Sequence, residues 1–370
     1  MKARSVLALC ASLLGADSAY GSLQLLQVMP EVVHAEPDPR GWRLNFDVLL
    51  ENTGRTPVVI NYLELEAFDS EGRLITRVHL GGGGLPPAID SLPQRVVPAE
   101  GRLHLFNPFE TLPADLAFET LRFGIHHSAG RLSVPIRPSM DVPYVLPVLP
   151  LGGASFVESG ADLRSPHRRA SVTDPRRRVF GRRRVSERYA VDLTRIDEQG
   201  AYRDGPRETP ASWFAWDEPV RSPARGTVIS ARSDIPDNAL LPGGGMTPPD
   251  PALDDAGYLL GNHVVVELPG GVHLVVAHLR EGSIDVEVGD AVWEGALLGR
   301  IGLSGRTTYP HLRMQLQRGQ NVLDADPLPL VFACVRDAGG DVRRPGWLAT
   351  GDRVQACGIG QEGRRLRERR

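Results

Sequence analysis

The sequence predicts a mostly β chain built of two β-rich blocks, and three observations carry that prediction. Short runs alternate apolar and polar residues, as in Trp42-Arg43-Leu44-Asn45-Phe46-Asp47-Val48. Turn-forming residues are abundant, with 40 glycines and 31 prolines in 370 residues. No long segment of helical period interrupts the strand-like runs.

The hydrophobic fraction of 41% and charged fraction of 24% are ordinary for globular protein. The length fits two domains plus extra segments. A formal net charge of −3 argues against a general nucleic-acid binder. Lys2 is the only lysine, so nearly all basic charge is arginine.

Residues 1–19 read as a secretory signal. Lys2 and Arg4 form a charged start, Val6 to Gly15 a short apolar run, and Ala16-Asp17-Ser18 a small-x-small cleavage site. The run is too short to span a bilayer. Secretion leaves Cys334 and Cys357, which could pair in an oxidising compartment and tie down the C-terminal tail.

Residues 22–135 read as a first all-β domain. Runs such as WRLNFDVLLEN and PVVINYLELEAFD are separated by NTGRTP, DSEG and GGGGLPP. The Asn52-Thr53-Gly54 turn ahead of an apolar strand is common in immunoglobulin-like sandwiches, and that fold is expected here. Residues 136–187 read as a linker with an Arg-rich loop, Arg176-Arg177-Arg178 and Arg182-Arg183-Arg184. Such runs are usually a solvated loop; the sharper reading is a surface facing anionic envelope polymers or headgroups. The long Gly/Pro-rich loop 233–257 is patterned to border a cleft. Residues 334–370 read as a basic, disordered tail.

Residues 188–333 form the second β block. In 307-TTYPHLRMQLQ-317, residues two apart share a strand face. Leu312, Met314 and Leu316 should enter the core, with His311, Arg313 and Gln315 on the other side.

Four motifs in order resemble the M23 (LytM/lysostaphin-type) zinc peptidases: ERYAVDL (187–193), DEPVRSPARGTVIS (217–230), GNHVVVELPGGVHLVVAHL followed by VEVGDAVWEGALLGRIGLSG, and PHLRMQL. The resemblance covers roughly 185–325 and implies an antiparallel β domain whose groove holds one zinc and cuts peptide cross-links of bacterial cell wall. The family's ligands are both ends of a His-x-x-x-Asp motif and the second histidine of a His-x-His motif. The first histidine of His-x-His is catalytic, and a histidine in an Ala-His-Leu strand assists it.

Carried over residue by residue, Asp192 matches the ligand aspartate, His278 the assisting histidine and His311 the catalytic histidine. Arg188 and Arg313 stand at the two ligand-histidine positions. His263 and His273 lie nearby but match no ligand position. A catalytic zinc needs about three protein ligands plus water, and a guanidinium offers no lone pair and keeps its charge. Without the metal, a lone general base is worth only about 10²–10⁴-fold.

The resemblance therefore implies a domain without zinc, in which Arg188, Asp192 and Arg313 are expected to converge. The arginines could form a structural tie to Asp192, capture a carboxylate such as the end of a wall stem peptide, or be drifted positions in a dead groove. The expected function is a secreted or periplasmic protein, non-catalytic, binding peptidoglycan stem peptides or regulating a wall hydrolase. The competing reading is an active zinc-dependent peptidoglycan endopeptidase with an altered ligand set. A biotinyl or lipoyl carrier is excluded, because the similar hairpin 286–299 has no acceptor lysine.

Overall fold

The computed structural model describes residues 22–357 except 39–40, 83–88, 90–91, 93, 142–144, 175–183, 249 and 251. The expected signal 1–19, the end of the tail, and the Arg-rich loop apart from Arg184 lie outside the described residues. Among the described residues no helix is long and apolar enough to cross a membrane.

The structure is mostly β, in antiparallel ladders, as the sequence predicts. In the N-terminal part, Asp47–Asn52 is the centre of a three-stranded sheet between Leu23–Met29 and Arg102–Phe106. A second sheet runs in the order Gly130–Ile136, Thr120–His127, Val58–Phe68, Leu74–Leu80. Both sheets feed one core: Val48, Leu50 and Leu105 come from the first, and Leu63, Leu65 and Phe123 from the second. The Phe46 and Phe123 rings meet edge-on at 5.4 Å. The alternation in 42–48 follows from this, since Leu44, Phe46 and Val48 are fully buried in that core.

The C-terminal part is an 11-stranded sheet. Its central order is Gly226–Arg232, Asn262–Leu268, Val272–Leu279, Leu312–Arg318, Val191–Arg195, Ser155–Ser159. Leu312, Met314 and Leu316 pack with Val264, Val266, Leu274 and Val276 in its main core. The opposite face carries a smaller cluster around Val265, Val275 and Ala277, covered by Leu260 of the short helix Asp255–Leu260. Asp254 caps that helix by accepting from the Gly257 amide at 2.6 Å. The hairpin joining Leu268 to Val272 turns on Gly270 and Gly271, at φ of 82° and 71°, which only glycine adopts at little cost.

Two expectations are corrected. The segment read as a linker contributes Ser155–Ser159 to the sheet, paired on one side with Val191–Arg195 and on the other with Arg353–Ala356. The segment read as a disordered tail supplies three strands, Val335–Asp337, Val342–Arg343 and Arg353–Ala356. Val335, Leu348 and Val354 bury in the main core, so this stretch is held by packing that its basic composition hides. Cys334 and Cys357 form a disulfide with their Cα atoms 5.9 Å apart. The loop 233–257, expected to border a cleft, carries a Leu240–Met246 bridge. Asn238 donates to the carbonyls of Leu303 and Gly305, both at 2.6 Å.

Candidate functional site

The candidate site lies where three strands meet. Asp192 pairs directly with Arg313 across the ladder, and Arg313 pairs with Ala277 on its other side. Side chains of directly opposed residues start about 4.5–5.5 Å apart, so Asp192 and Arg313 are neighbours by construction. His311, two residues before Arg313, reaches the same face. Its Nε2 is 3.9 Å from Asp192 Oδ2.

His278 arrives by a different device. The partner register jumps there, with Leu279 opposite Asn262 and Ala277 opposite His263. His278 is the extra residue of a β-bulge, and its φ of 66° lies in the left-handed region. Non-glycine residues there cost about 1–2 kcal/mol and recur at functional sites. The bulge turns the imidazole toward His311, with ring centroids 4.8 Å apart. Both rings are oriented by backbone carbonyls at Nδ1, Ser304 O at 3.1 Å for His278 and Tyr309 O at 2.9 Å for His311. Burial first, then the neighbouring His311 ring and the Arg313 guanidinium, push the His278 pKa well below the usual imidazole value. His278 is therefore neutral.

Arg313 does not hydrogen-bond Asp192. Its Nη2 donates to Gln315 Oε1 at 3.2 Å, and Gln315 Nε2 donates in turn to Gln317 Oε1 at 2.7 Å. The strand face opposite the main core carries a polar ladder that begins at the arginine and runs into buried Gln315 and Gln317.

Arg188 departs further from expectation. It is fully buried, and its guanidinium donates to Asp47 Oδ2 and, at 3.0 Å, to Asn45 Oδ1 of the N-terminal sheets. Arg168 clamps the same carboxylate, with Nη1 at 2.7 and 2.8 Å from the two Asp47 oxygens. His104 stands 3.3 Å from Asp47 Oδ2. Its Nδ1 accepts from the Val172 amide, which leaves the Nε2 proton for Asp47. Burial works to raise the Asp47 pKa, but Arg168, Arg188 and His104 outweigh it and hold the carboxyl far below its usual value. The expected convergence of Arg188, Asp192 and Arg313 is thus corrected. Motif spacing places Arg188 four residues before Asp192, but its long side chain turns to the buried Asp47.

The partner that Asp192 does find is His167, whose Nε2 lies 2.7 Å from Asp192 Oδ2. Burial alone would raise the Asp192 pKa; His167 first, then His311 and Arg313, pull it well below the usual carboxylate range. Sequence reasoning missed His167, because it stands in an aperiodic, arginine-rich stretch 25 residues before Asp192. It also missed the aromatic wall beside His311. Tyr309 stacks on Trp213 at 5.5 Å and lies 5.3 Å from the His311 ring. Tyr202 and Tyr309 both hydrogen-bond to Glu158; burial and that carboxylate push the Tyr202 pKa up to about 12 and raise Tyr309 as well.

These residues do not fit a zinc ion as they stand. Asp192 Oδ2 is committed to His167, and Asp192 Oδ1 is buried with no hydrogen-bond partner among the described residues. Arg313 holds a positive charge beside the position the ion would take. Among the described residues no group of three or more His, Cys, Asp or Glu side chains is arranged to hold a metal. What the site offers instead is three imidazoles (His167, His278 and His311), one guanidinium and one carboxylate.

Residues 214–325 match the family model described as Peptidase family M23. The match takes in His278, His311 and Arg313 and begins after Arg188 and Asp192. No match is found among curated proteins. Three solved structures are similar in part. A variant catalytic domain of the prophage-encoded M23 protein EnpA from Enterococcus faecalis shares 17% identity over 38% of this chain and 74% of its own, with a TM-score of 0.25. The catalytic domain of lysostaphin from Staphylococcus simulans shares 20% over 34% of this chain and 84% of its own, with a TM-score of 0.22. A protein described as an M23 peptidase from Pseudomonas aeruginosa shares 14% over 71% of this chain and 89% of its own, with a TM-score of 0.25. TM-scores this low carry no weight for function. The family match identifies residues 214–325, within the C-terminal sheet, as a segment of Peptidase family M23.

Proposed function

We propose that the chain is a cell-envelope protein in which an M23 domain binds peptidoglycan stem peptides, or regulates a wall hydrolase, without cutting the wall. The observation that carries this is the state of Asp192. The one ligand-type residue retained from the family pattern is hydrogen-bonded to His167, and Arg313 stands beside it where a histidine would be needed. A metal-free amide hydrolysis would rest on neutral His278 and on His311 as lone bases, worth about 10²–10⁴-fold. That is far short of enzymatic accelerations, which begin near 10⁶-fold.

In this reading Arg313, with Asp192 and the two imidazoles, forms the binding surface, and a carboxylate terminus of a stem peptide is the group a guanidinium would take. Arg188 belongs to the interior and contributes none of it. The N-terminal sheets are read as an immunoglobulin-like docking module, and the chain as secreted or periplasmic. The Cys334–Cys357 disulfide supports an oxidising compartment.

The second reading, an active zinc endopeptidase with altered ligands, is favoured by one observation. His167, His311 and His278 gather around Asp192, and the oriented rings of His278 and His311 make their described hydrogen bonds through Nδ1. Incubation of the purified protein with isolated sacculi separates the two. Cosedimentation with no release of soluble wall fragments, weakened in Arg313→Gln, is the result expected. Release of fragments, lost in Asp192→Ala, would overturn the non-catalytic reading.

A further inference from the structure

Consecutive residues 167 and 168 point into two different sites. His167 holds Asp192 in the groove, while Arg168, 2% exposed, clamps Asp47 of the N-terminal sheets and donates to the Phe46 carbonyl at 3.0 Å. The segment around them, 161–174, is stitched to both parts of the molecule. On the N-terminal side the Leu163 amide donates to Glu110 at 2.6 Å, and the Val172 amide to His104. On the C-terminal side Ser165 Oγ meets Ser159 Oγ at 2.6 Å, and Asp162 accepts from the Thr350 amide. The segment has no regular secondary structure. It is held by these polar contacts and by little apolar burial.

We infer that the strap 161–174 is a removable internal occupant of the groove, with His167 as the plug and Arg168 as the latch that ties its position to the N-terminal sheets. A peptide carries no more than one backbone pitch between adjacent residues, about 3.8 Å. A backbone shift that withdraws Arg168 from Asp47 therefore also moves His167 off Asp192. Anything that loosens the Asp47 cluster exposes Asp192, His311 and Arg313 together, and anything that displaces His167 strains the latch. This deepens the reading of the groove as a binding site, so its test uses one readout independent of wall binding.

The full chain is treated with diethyl pyrocarbonate, and modification of His167 and His311 is followed by mass spectrometry in the unaltered protein, Arg168→Gln and His167→Ala. Thermal melts verify that each variant is folded. In Arg168→Gln both histidines should react about fivefold faster or more, the lower end of ordinary coupling between linked sites. In His167→Ala, which leaves the Asp47 cluster alone, His311 should show the same increase. Unchanged His311 reactivity in His167→Ala overturns the plug. Unchanged reactivity in a folded Arg168→Gln overturns the latch; should that variant fail to fold, His167→Ala still decides the plug. Cosedimentation of His167→Ala with sacculi is the second readout. If His311 is unmasked and cosedimentation does not rise, the strap stands and the wall-binding reading fails.

Discussion

Arg188 donates to Asp47, 141 residues earlier in the chain, and not to Asp192, four residues later. This relationship makes one of the two ligand-position arginines a part of the interior. Two guanidinium groups, one carboxylate and one imidazole are buried together, and removing one member of such a set leaves an uncompensated charge. Asp47→Asn is expected to lower unfolding free energy by about 3–5 kcal/mol, checked by urea denaturation. A loss under about 1 kcal/mol would mean that the cluster is solvated in solution.

The same cluster sets a pH dependence. The folded-state pKa of Asp47 is depressed, so its contribution is complete above the unfolded carboxyl value, about 3.9, and is lost as pH falls toward the folded value. His104 acts in the same direction. Burial lowers its folded pKa, so below about 6.5 the unfolded state binds the proton first and stability drops. Melting temperature should fall steadily from pH 7 to pH 3, and less steeply in His104→Gln between pH 7 and pH 5.

The bulge at His278 gives a third expectation. An L-residue in the left-handed region costs about 1–2 kcal/mol, against about 0.5–1 kcal/mol for placing glycine within a strand. His278→Gly should therefore be more stable than His278→Ala by about 0.5–1 kcal/mol, the reverse of the usual strand order. Paired denaturation curves decide it, and alanine proving the more stable would remove the bulge.

The Cys334–Cys357 disulfide closes a loop across a sequence separation of 23. Loop-closure entropy makes that worth about 3 kcal/mol. Cys334→Ser with Cys357→Ser should lose about that much, with the strands Val335–Asp337 and Arg353–Ala356 becoming the first to exchange amide hydrogens. Equal exchange before and after would contradict a role in holding those strands.

Much of this was legible in the sequence where periodicity carries information. Alternation placed Leu312, Met314 and Leu316 in the core and His311 and Arg313 opposite. The motif order singled out His278 and His311, whose rings the fold sets 4.8 Å apart. Arg188 was misplaced because motif spacing fixes a backbone position, and a long flexible side chain then seeks its charge partner wherever the fold supplies one. Asp47 sits in a different sheet, and no local pattern links the two. His167 was invisible for a related reason: its segment has no period, and its contact depends on the strap's path between the two halves. The strands after Cys334 were hidden by short length and polar composition, though Val335 and Val354 pack in the core.

With Asp192 bonded to His167 and Arg313 beside it, the site should hold no zinc, and metal content measures that. Purified protein, incubated with excess zinc and dialysed, is measured for bound metal alongside its thermal melt with and without chelator. Well under one zinc per chain and a melt indifferent to chelation are expected. One tightly held zinc per chain, lost in Asp192→Ala and in His167→Ala, would contradict this.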